Sequence, residues 1–342
     1  MIAVITTIQP PTASALRLVK RLQECDCTLV VVGDKKGPLN YPTPHTTFLS
    51  LQDQIDSPFS LARLLPTGHY TRKNVGYLHA IAKGAAYIYE TDDDNAPNES
   101  WCLRDLTTKA RRVGGRRWAN VYRMFSDDVI WPRGFPLDLL SDKGSYELAE
   151  AVAPVTVEAP IQQGLADISP DVDAVWRLTM CRDFRFERRP SVWLAPGTWC
   201  PFNSQTTWWW PAAYPLLYLP SFCTFRMTDI WRSFVAQRCL WEMNYSVVFH
   251  APEVDQKRNQ HDLMQDFEAE IPGYTLNSKI VSALEALSLL EGPENTGSNM
   301  RSCYEAMVRC GFMPADELGL IDCWLEEIKR LEKAPVATNP AT

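Results

Sequence analysis

Over about the first 130 residues, short continuous apolar runs alternate with stretches whose apolar positions recur every three to four residues. Continuous β-branched runs suit strands buried on both faces, and the longer period suits amphipathic helices. Residues 3–7 and 28–32 are runs of the first kind, the second ending at Gly33-Asp34. Between them Leu16, Val19 and Leu22 mark a helix over 12–25, which Thr12 or Ser14 can cap. A polar, proline-containing stretch leads to a short strand at 47–49. A helix is predicted over 74–84, with Val75, Leu78, Ile81 and Ala82 on one face and Gly84 closing it. Tyr87-Ile88-Tyr89 then forms a strand that runs into Glu90-Thr91-Asp92-Asp93-Asp94-Asn95. Strand and helix in alternation imply a mostly parallel sheet with helices on both faces, an α/β class.

Beyond residue 132 the pattern weakens. Residues 132–220 are rich in Pro and Trp and read as shaped loops around a site. Helical periodicity returns over 228–242 through Ile230, Phe234 and Trp241, whereas 250–273 is polar with little period. Helices are predicted over 278–290, 300–309 and 316–331, broken by Gly292-Pro293 and by 311–314. The expected organisation is therefore a domain over 1–275, a small helical region over 276–333, and a disordered tail over 334–342.

Composition narrows the function classes. With 342 residues, 46% hydrophobic and 22% charged, the chain has the material for one large α/β domain. A net charge of -7 argues against a sequence-independent nucleic-acid surface. Arg111, Arg112, Arg116 and Arg117 form a local basic patch, which fits either a diphosphate border or a solvated face. No apolar run approaches the ~20 residues of a membrane span. The N-terminus has no basic segment or apolar stretch of signal-peptide length and reads as a strand. Ten scattered cysteines with no paired CxxC spacing suit reduced thiols and favour a cytoplasmic location. The Golgi lumen is the alternative for a chain trimmed of a membrane anchor.

Candidate chemistry centres on Asp92-Asp93-Asp94. Adjacent carboxylates resist joint ionisation unless a cation lies between them, and hard ions such as Mn²⁺ or Mg²⁺ take carboxylate and phosphate oxygens. Acidic triplets also occur in ordinary surface turns. This one follows a buried strand, and ligands of open α/β sheets bind beyond the carboxyl ends of strands. Arg72-Lys73-Asn74, at the start of the preceding helix, brings cations and amides suited to phosphate. Dinucleotide, P-loop, nucleophile-elbow and HExxH fingerprints are all missing from the sequence. Trp208-Trp209-Trp210 suits either a sugar-stacking platform or core packing.

Several blocks in fixed order carry a family resemblance. They are Tyr70-Thr71-Arg72-Lys73-Asn74-Val75-Gly76-Tyr77, the Asp triplet, Trp131-Pro132-Arg133-Gly134-Phe135-Pro136, Pro160-Ile161-Gln162-Gln163-Gly164, Pro170-Asp171-Val172-Asp173, Pro201-Phe202-Asn203-Ser204, and Asp229-Ile230-Trp231-Arg232-Ser233 with Gln237-Arg238-Cys239-Leu240-Trp241. Together they resemble the STELLO family of probable glycosyltransferases, over roughly residues 1–275; no block matches beyond Tyr274. The resemblance implies a GT-A, Rossmann-like fold, a nucleotide-diphosphate-sugar donor (UDP-sugar favoured) and a DxD-type site for Mn²⁺ or Mg²⁺. The acceptor stays open among glycan, protein and small molecule. Plant members are Golgi membrane proteins associated with cellulose synthesis, a setting not carried over to this chain.

Residue by residue, the resemblance implies that Thr6, Thr7, Asp34, Arg72, Lys73, Asn74 and Asp93 line the nucleotide pocket. Asp92 and Asp94 would hold the metal, with His250 or His261 as a further ligand, and Arg232 and Arg238 would face the diphosphate. Asp229 lies in an order that more distantly resembles the TED…QxxRW of processive inverting transferases, where the Asp deprotonates the acceptor hydroxyl. It also sits where a helix N-cap would. A catalytically silent scaffold of the same fold, and a sugar mutase or nucleotidyltransferase, are the alternative functions.

Overall fold

The computed structural model describes residues 1–147, 153–259 and 262–333, so the expected tail over 334–342 and His261 lie outside the described residues. The N-terminal half carries β1 (Ile2–Thr6), α1 (Ala13–Glu24), β2 (Thr28–Val32), β3 (Thr46–Leu49), α2 (Leu51–Asp56), α3 (Leu61–Leu64), α4 (Lys73–Ala82) and β4 (Ile88–Thr91). The middle carries β5 (Asn95–Pro97), β6 (Thr107–Val113), α5 (Val121–Met124), β7 (Val155–Glu158), β8 (Ile161–Asp167), α6 (Ala174–Met180), β9 (Val192–Leu194) and β10 (Thr206–Trp209). Then come α7 (Thr228–Glu242), β11 (Val247–Gln256), α8 (Leu263–Glu285), α9 (Thr296–Arg309) and α10 (Asp316–Lys333).

The strands form one mixed sheet in the order β3-β2-β1-β4-β10-β8-β11-β9-β6-β7, with β5 paired to β11. The first four are mutually parallel. β10 then inserts antiparallel between β4 and β8. The α/β class read from the sequence is thus the architecture observed, with helices on both faces.

Strand alternation explains how both faces are covered. Ala3, Ile5, Leu29 and Val31 pack in one buried cluster with Ala15, Leu18 and Leu22 of α1. Val4, Val30 and Val32 point the other way, into a larger cluster with Val75 and Leu78 of α4. Gly76 permits that contact: a Cβ there would lie 2.6 Å from Val32 Cγ2 and 2.7 Å from Val4 Cγ1.

Two expectations for the C-terminal third change. Within 250–273, predicted as aperiodic, residues 250–256 belong to the ten-residue strand β11 and 263–273 to the first half of α8. Pro272 lies inside that helix, which obscures its period, and the expected boundary at 275/276 falls within it. The helical region is bound to the sheet domain by buried polar contacts. Glu317 of α10 accepts the amides of Ser221 and Phe222 at 3.0 and 2.7 Å. Trp324 Nε1 donates to Pro215 O at 2.8 Å, and Glu327 accepts Ser60 N at 2.7 Å.

Candidate active site

β1, β2 and β4 are parallel neighbours, so their carboxyl ends open on one side of the sheet, and a cleft of about 540 Å³ lies there. Thr6, Thr7, Asp34, His69 and the three Asp residues form one part of its lining. Arg133, Asp171, Arg177, Ser204, Phe225, Arg226, Asp229, Gln256 and Arg258 line the facing part, with Tyr70 among the other lining residues. The fold therefore brings six of the sequence-predicted residues (Thr6, Thr7, Asp34 and the triplet) together with the predicted base, Asp229.

The triplet is held from three directions. Thr12, the N-cap of α1, donates to Asp93 O, and Thr7 Oγ1 donates to the Asp93 carboxylate. Asp94 accepts Gln256 Nε2 on both oxygens at 3.1 and 3.2 Å, and its carbonyl accepts Lys257 N at 3.1 Å. Asp92 Oδ1 accepts Lys73 Nζ at 3.0 Å and lies 2.9 Å from the Tyr70 hydroxyl. Asp34 accepts His69 N at 2.9 Å, which ties the end of β2 to the same rim.

Burial raises the pKa of all three carboxyls, and their mutual repulsion adds to it. Asp94 is pushed up to about 7, by burial first and then by the charge of Asp92. For Asp92 burial also leads, with Lys73 pulling against it. No group of three or more His, Cys, Asp or Glu suited to holding a metal ion occurs among the described residues. Asp92 Oδ2 nonetheless accepts no hydrogen bond among them. Crowded carboxylates with a free oxygen fit a hard cation held by one or two side chains and completed by substrate phosphates, the usual manner of Mg²⁺.

The facing part of the cleft is built on Arg133. Its guanidinium bridges Asp171 (Nη2–Oδ2, 2.7 Å) and Asp229 (Nη2–Oδ2, 2.9 Å; Nη1–Oδ1, 3.1 Å), all three side chains being buried. Burial raises the Asp229 pKa, but the Arg133 charge and hydrogen bonds outweigh it and hold the carboxyl below its ordinary value. Asp229 Oδ2 also accepts Ser204 Oγ at 3.2 Å, and Ser204 Oγ lies 2.8 Å from the Tyr70 hydroxyl. A hydrogen-bonded path thus runs from Asp92 through Tyr70 and Ser204 to Asp229. The N-cap alternative for Asp229 does not describe it: the residue lies within the first turn of α7, and Met227 is the cap.

Five predicted residues stand elsewhere. Arg72 is buried against Gln54 Oε1 and the carbonyls of Ala62 and Leu65, so it closes the α2–α3 turn rather than binding phosphate. Asn74 bonds the backbone of Leu219 through both ends of its amide. Arg232 pairs with Glu90 at 2.9 Å inside the core and lies over Trp209. Arg238 caps the end of α8 through the carbonyls of Leu284 and Leu287. Both nitrogens of His250 are engaged, by Ser191 Oγ at 2.7 Å and Gln162 Oε1 at 2.9 Å, and it does not reach the cleft. Burial and the Arg104 charge lower its pKa well below the ordinary value. Lys73 does not line the cleft and meets the site through Asp92 at 3.0 Å and the Tyr70 hydroxyl at 2.9 Å. Trp208 and Trp209 are core residues, with Trp208 stacked near Tyr89 at 4.4 Å. Arg117 pairs with Glu285 and Arg112 lies over Trp193, so neither borders the cleft.

Arg133, Asp171, Tyr70 and Ser204 were within the resemblance blocks without a chemical signature of their own. Nothing in the local sequence marks Arg177, Arg226, Gln256 or Arg258.

With this geometry in place, comparison with known proteins becomes informative. Residues 226–335 match the family described as STELLO glycosyltransferases, including the helical stretch in which the sequence showed no block. The probable glycosyltransferase STELLO1 of Arabidopsis thaliana is 30% identical over 244 residues, which cover 66% of this chain and 31% of that protein. The probable glycosyltransferase STELLO2 of the same plant is 30% identical over 246 residues, covering 66% and 32%. The matched region is thus about a third of the length of these relatives. Among solved structures, the crystal structure of M. tuberculosis glucosyl-3-phosphoglycerate synthase overlaps 83% of this chain and 79% of that one. Its TM-score of 0.35 at 11% identity is too low to bear on the fold or function. On the sequence matches, the chain is similar to the STELLO glycosyltransferases, which supports a STELLO-like family.

Proposed function

We propose that this protein is a metal-dependent glycosyltransferase of the GT-A type, moving a sugar from a nucleotide-diphosphate sugar, UDP-sugar favoured, to an acceptor hydroxyl with inversion. The observation that carries this reading is the opening of the Asp triplet and Asp229 onto one cleft at the strand ends. The naming of the relatives as probable glycosyltransferases supports it.

Thr6, Thr7 and Asp34 line the end that would take the nucleoside. Asp92 and Asp94 would hold Mn²⁺ or Mg²⁺ together with the donor phosphates. When bound, the ion supplies Lewis-acid stabilisation to the departing diphosphate. Asp229 is anionic near neutral pH and accepts the acceptor's proton as its oxygen bonds to the anomeric carbon. The bond from that carbon to the diphosphate oxygen breaks in the same displacement, which inverts the anomeric centre. Tyr70 and Ser204 keep Asp229 and Asp92 in fixed relation.

Nucleotide release from UDP-sugars, measured with and without Mn²⁺, tests the reading. Wild type should turn over only with the ion, and Asp92→Asn and Asp94→Asn should each lose at least about 100-fold, as expected for lost charge stabilisation. Full turnover in both variants, or in chelator, refutes the metal assignment. A second reading has its own support: Arg133 and Ser204 already occupy both Asp229 oxygens, as in a silent binding module. Metal-dependent UDP binding without turnover across a donor and acceptor panel would establish it.

A further inference from the structure

The cleft wall beyond Asp171 carries three arginines, and one makes no ion pair among the described residues. Arg226 pairs with Glu270 at 2.7 Å, and Arg258 pairs with Asp266. Arg177, on α6, donates only to neutral oxygens: Ser169 Oγ at 2.9 Å and Pro170 O at 2.7 Å. Its Nε–H is buried without a partner, and it makes no ion pair among the described residues. Arg177 and Arg258 also line an adjoining cavity of about 400 Å³, so the wall has open space on two sides.

Arg226 and Arg258 are committed to carboxylates at close range, whereas Arg177 feels Asp171 and Asp266 without forming an ion pair with either among the described residues, and it borders the open space. Burial, and then the charges of Arg258 and Arg226, draw Arg177 down to about 10, which leaves it cationic at neutral pH. A guanidinium that borders a cleft with one N–H buried and unpartnered and no ion pair of its own suits an anion, and planar guanidinium forks match carboxylate and phosphate oxygens best. The wall's position assigns the anion to the acceptor. Arg226 lies 3.9 Å from Asp171, which shares Arg133 with Asp229, so the wall adjoins the proposed base.

We infer that Arg177, with Arg258 beside it, is an acceptor subsite for an oxyanion, so that the sugar acceptor bears a carboxylate or a phosphate monoester besides its reacting hydroxyl. The inference rests on the glycosyltransferase reading for the word acceptor; the anion site itself is open to direct measurement.

Calorimetric titration of the full chain with glucose 6-phosphate, glucuronate and glucose tests it, with and without saturating UDP and Mn²⁺. One or both anions should bind while glucose does not, and the stronger of the two identifies phosphate or carboxylate. Arg177→Gln should weaken that binding at least about tenfold, and Arg177→Lys should lose less, as loss of a bidentate pair implies. Anion affinity should be unchanged by UDP. The inference is overturned if neither anion binds better than glucose, if Arg177→Gln binds as wild type does, or if anion and UDP compete, which would give the arginines to the donor. Should Arg177→Gln not fold, the lysine variant and the competition experiment decide. Failure of the glycosyltransferase reading shows separately, as wild type with no Mn²⁺-dependent UDP binding and no donor turnover.

Discussion

Replacing Arg133 with Met isolates the electrostatics of the cleft. The guanidinium neutralises two carboxylates, Asp171 and Asp229, that are as buried as itself. Met preserves the aliphatic stem but removes the cation the two acids share, leaving Asp171 only its ion pair with Arg226 at 3.9 Å among the described residues, and breaking a buried pair from one side costs about 3–5 kcal/mol. The cost should depend on pH in a defined sense. In wild type the Asp229 pKa is held below its ordinary value, so the pair's contribution is fully present above that ordinary value and is lost only at strongly acid pH. Between pH 8 and pH 5 wild type gains and loses nothing from this group. In the variant burial is opposed only by the more distant charges of Arg232 and Arg226 and raises the carboxyl pKa, so the folded state binds a proton more readily than the unfolded chain and stability rises as pH falls. Urea unfolding followed by Trp fluorescence should show a deficit of about 3–5 kcal/mol at pH 8 that narrows at pH 5. Adding Asp229→Asn to Arg133→Met should recover part of the deficit at pH 8. A loss below about 1 kcal/mol, the scale of an exposed pair, or a deficit equal at both pH values, refutes the account of the triad.

The other predictions separate structure from chemistry. His250→Gln should cost about 1–3 kcal/mol, the range for a lost buried hydrogen bond, while nucleotide release stays within about twofold; a collapse of turnover in folded protein would return His250 to the metal. Arg232→Met leaves Glu90 buried with weakened compensation and should lower the thermal midpoint sharply, with the KM for donor unchanged in protein that remains folded. Gly76→Ala forces a methyl between Val4 and Val32 and should cost about 1–3 kcal/mol in chemical denaturation, the range for overpacking. Unchanged stability in that variant would mean that α4 can move off the sheet.

What could be read from the sequence follows the range of each interaction. Alternating apolar runs near the N-terminus locate β1, α1, β2, α4 and β4 because those strands are buried on both faces and leave a continuous signal. The same reading places Asp34 and the triplet together, since parallel strands share a carboxyl edge, whereas Thr6, Arg232 and Arg238 enter through the family resemblance. It misassigns Arg72, Arg232 and Arg238, because an arginine near a conserved-looking block carries no mark of whether its partner is a ligand, Glu90 or a backbone carbonyl. It passes over Gln256 and Arg177, whose roles depend on contacts with residues far away in the chain. The strands of 95–209 were hidden for another reason: several run only three or four residues and include Pro or Trp, too short for a period to show.

The insertion of β10 between β4 and β8 has a consequence for how the molecule is made. A ribosome delivers β1 to β4 well before residues 206–209 exist, so the growing chain holds four parallel strands whose β4 edge has no neighbour. That edge is fully buried once the protein is complete, and an unpaired strand edge is the type of surface that pairs readily with other chains. Until more than a hundred further residues have emerged, the nascent protein depends on chaperones, or on speed of synthesis, to keep β4 free for its own partner. The carboxylate cluster sits at the end of that same strand, so the ion binding proposed for Asp92 and Asp94 would be a late event in the life of each new molecule, following closure of the sheet.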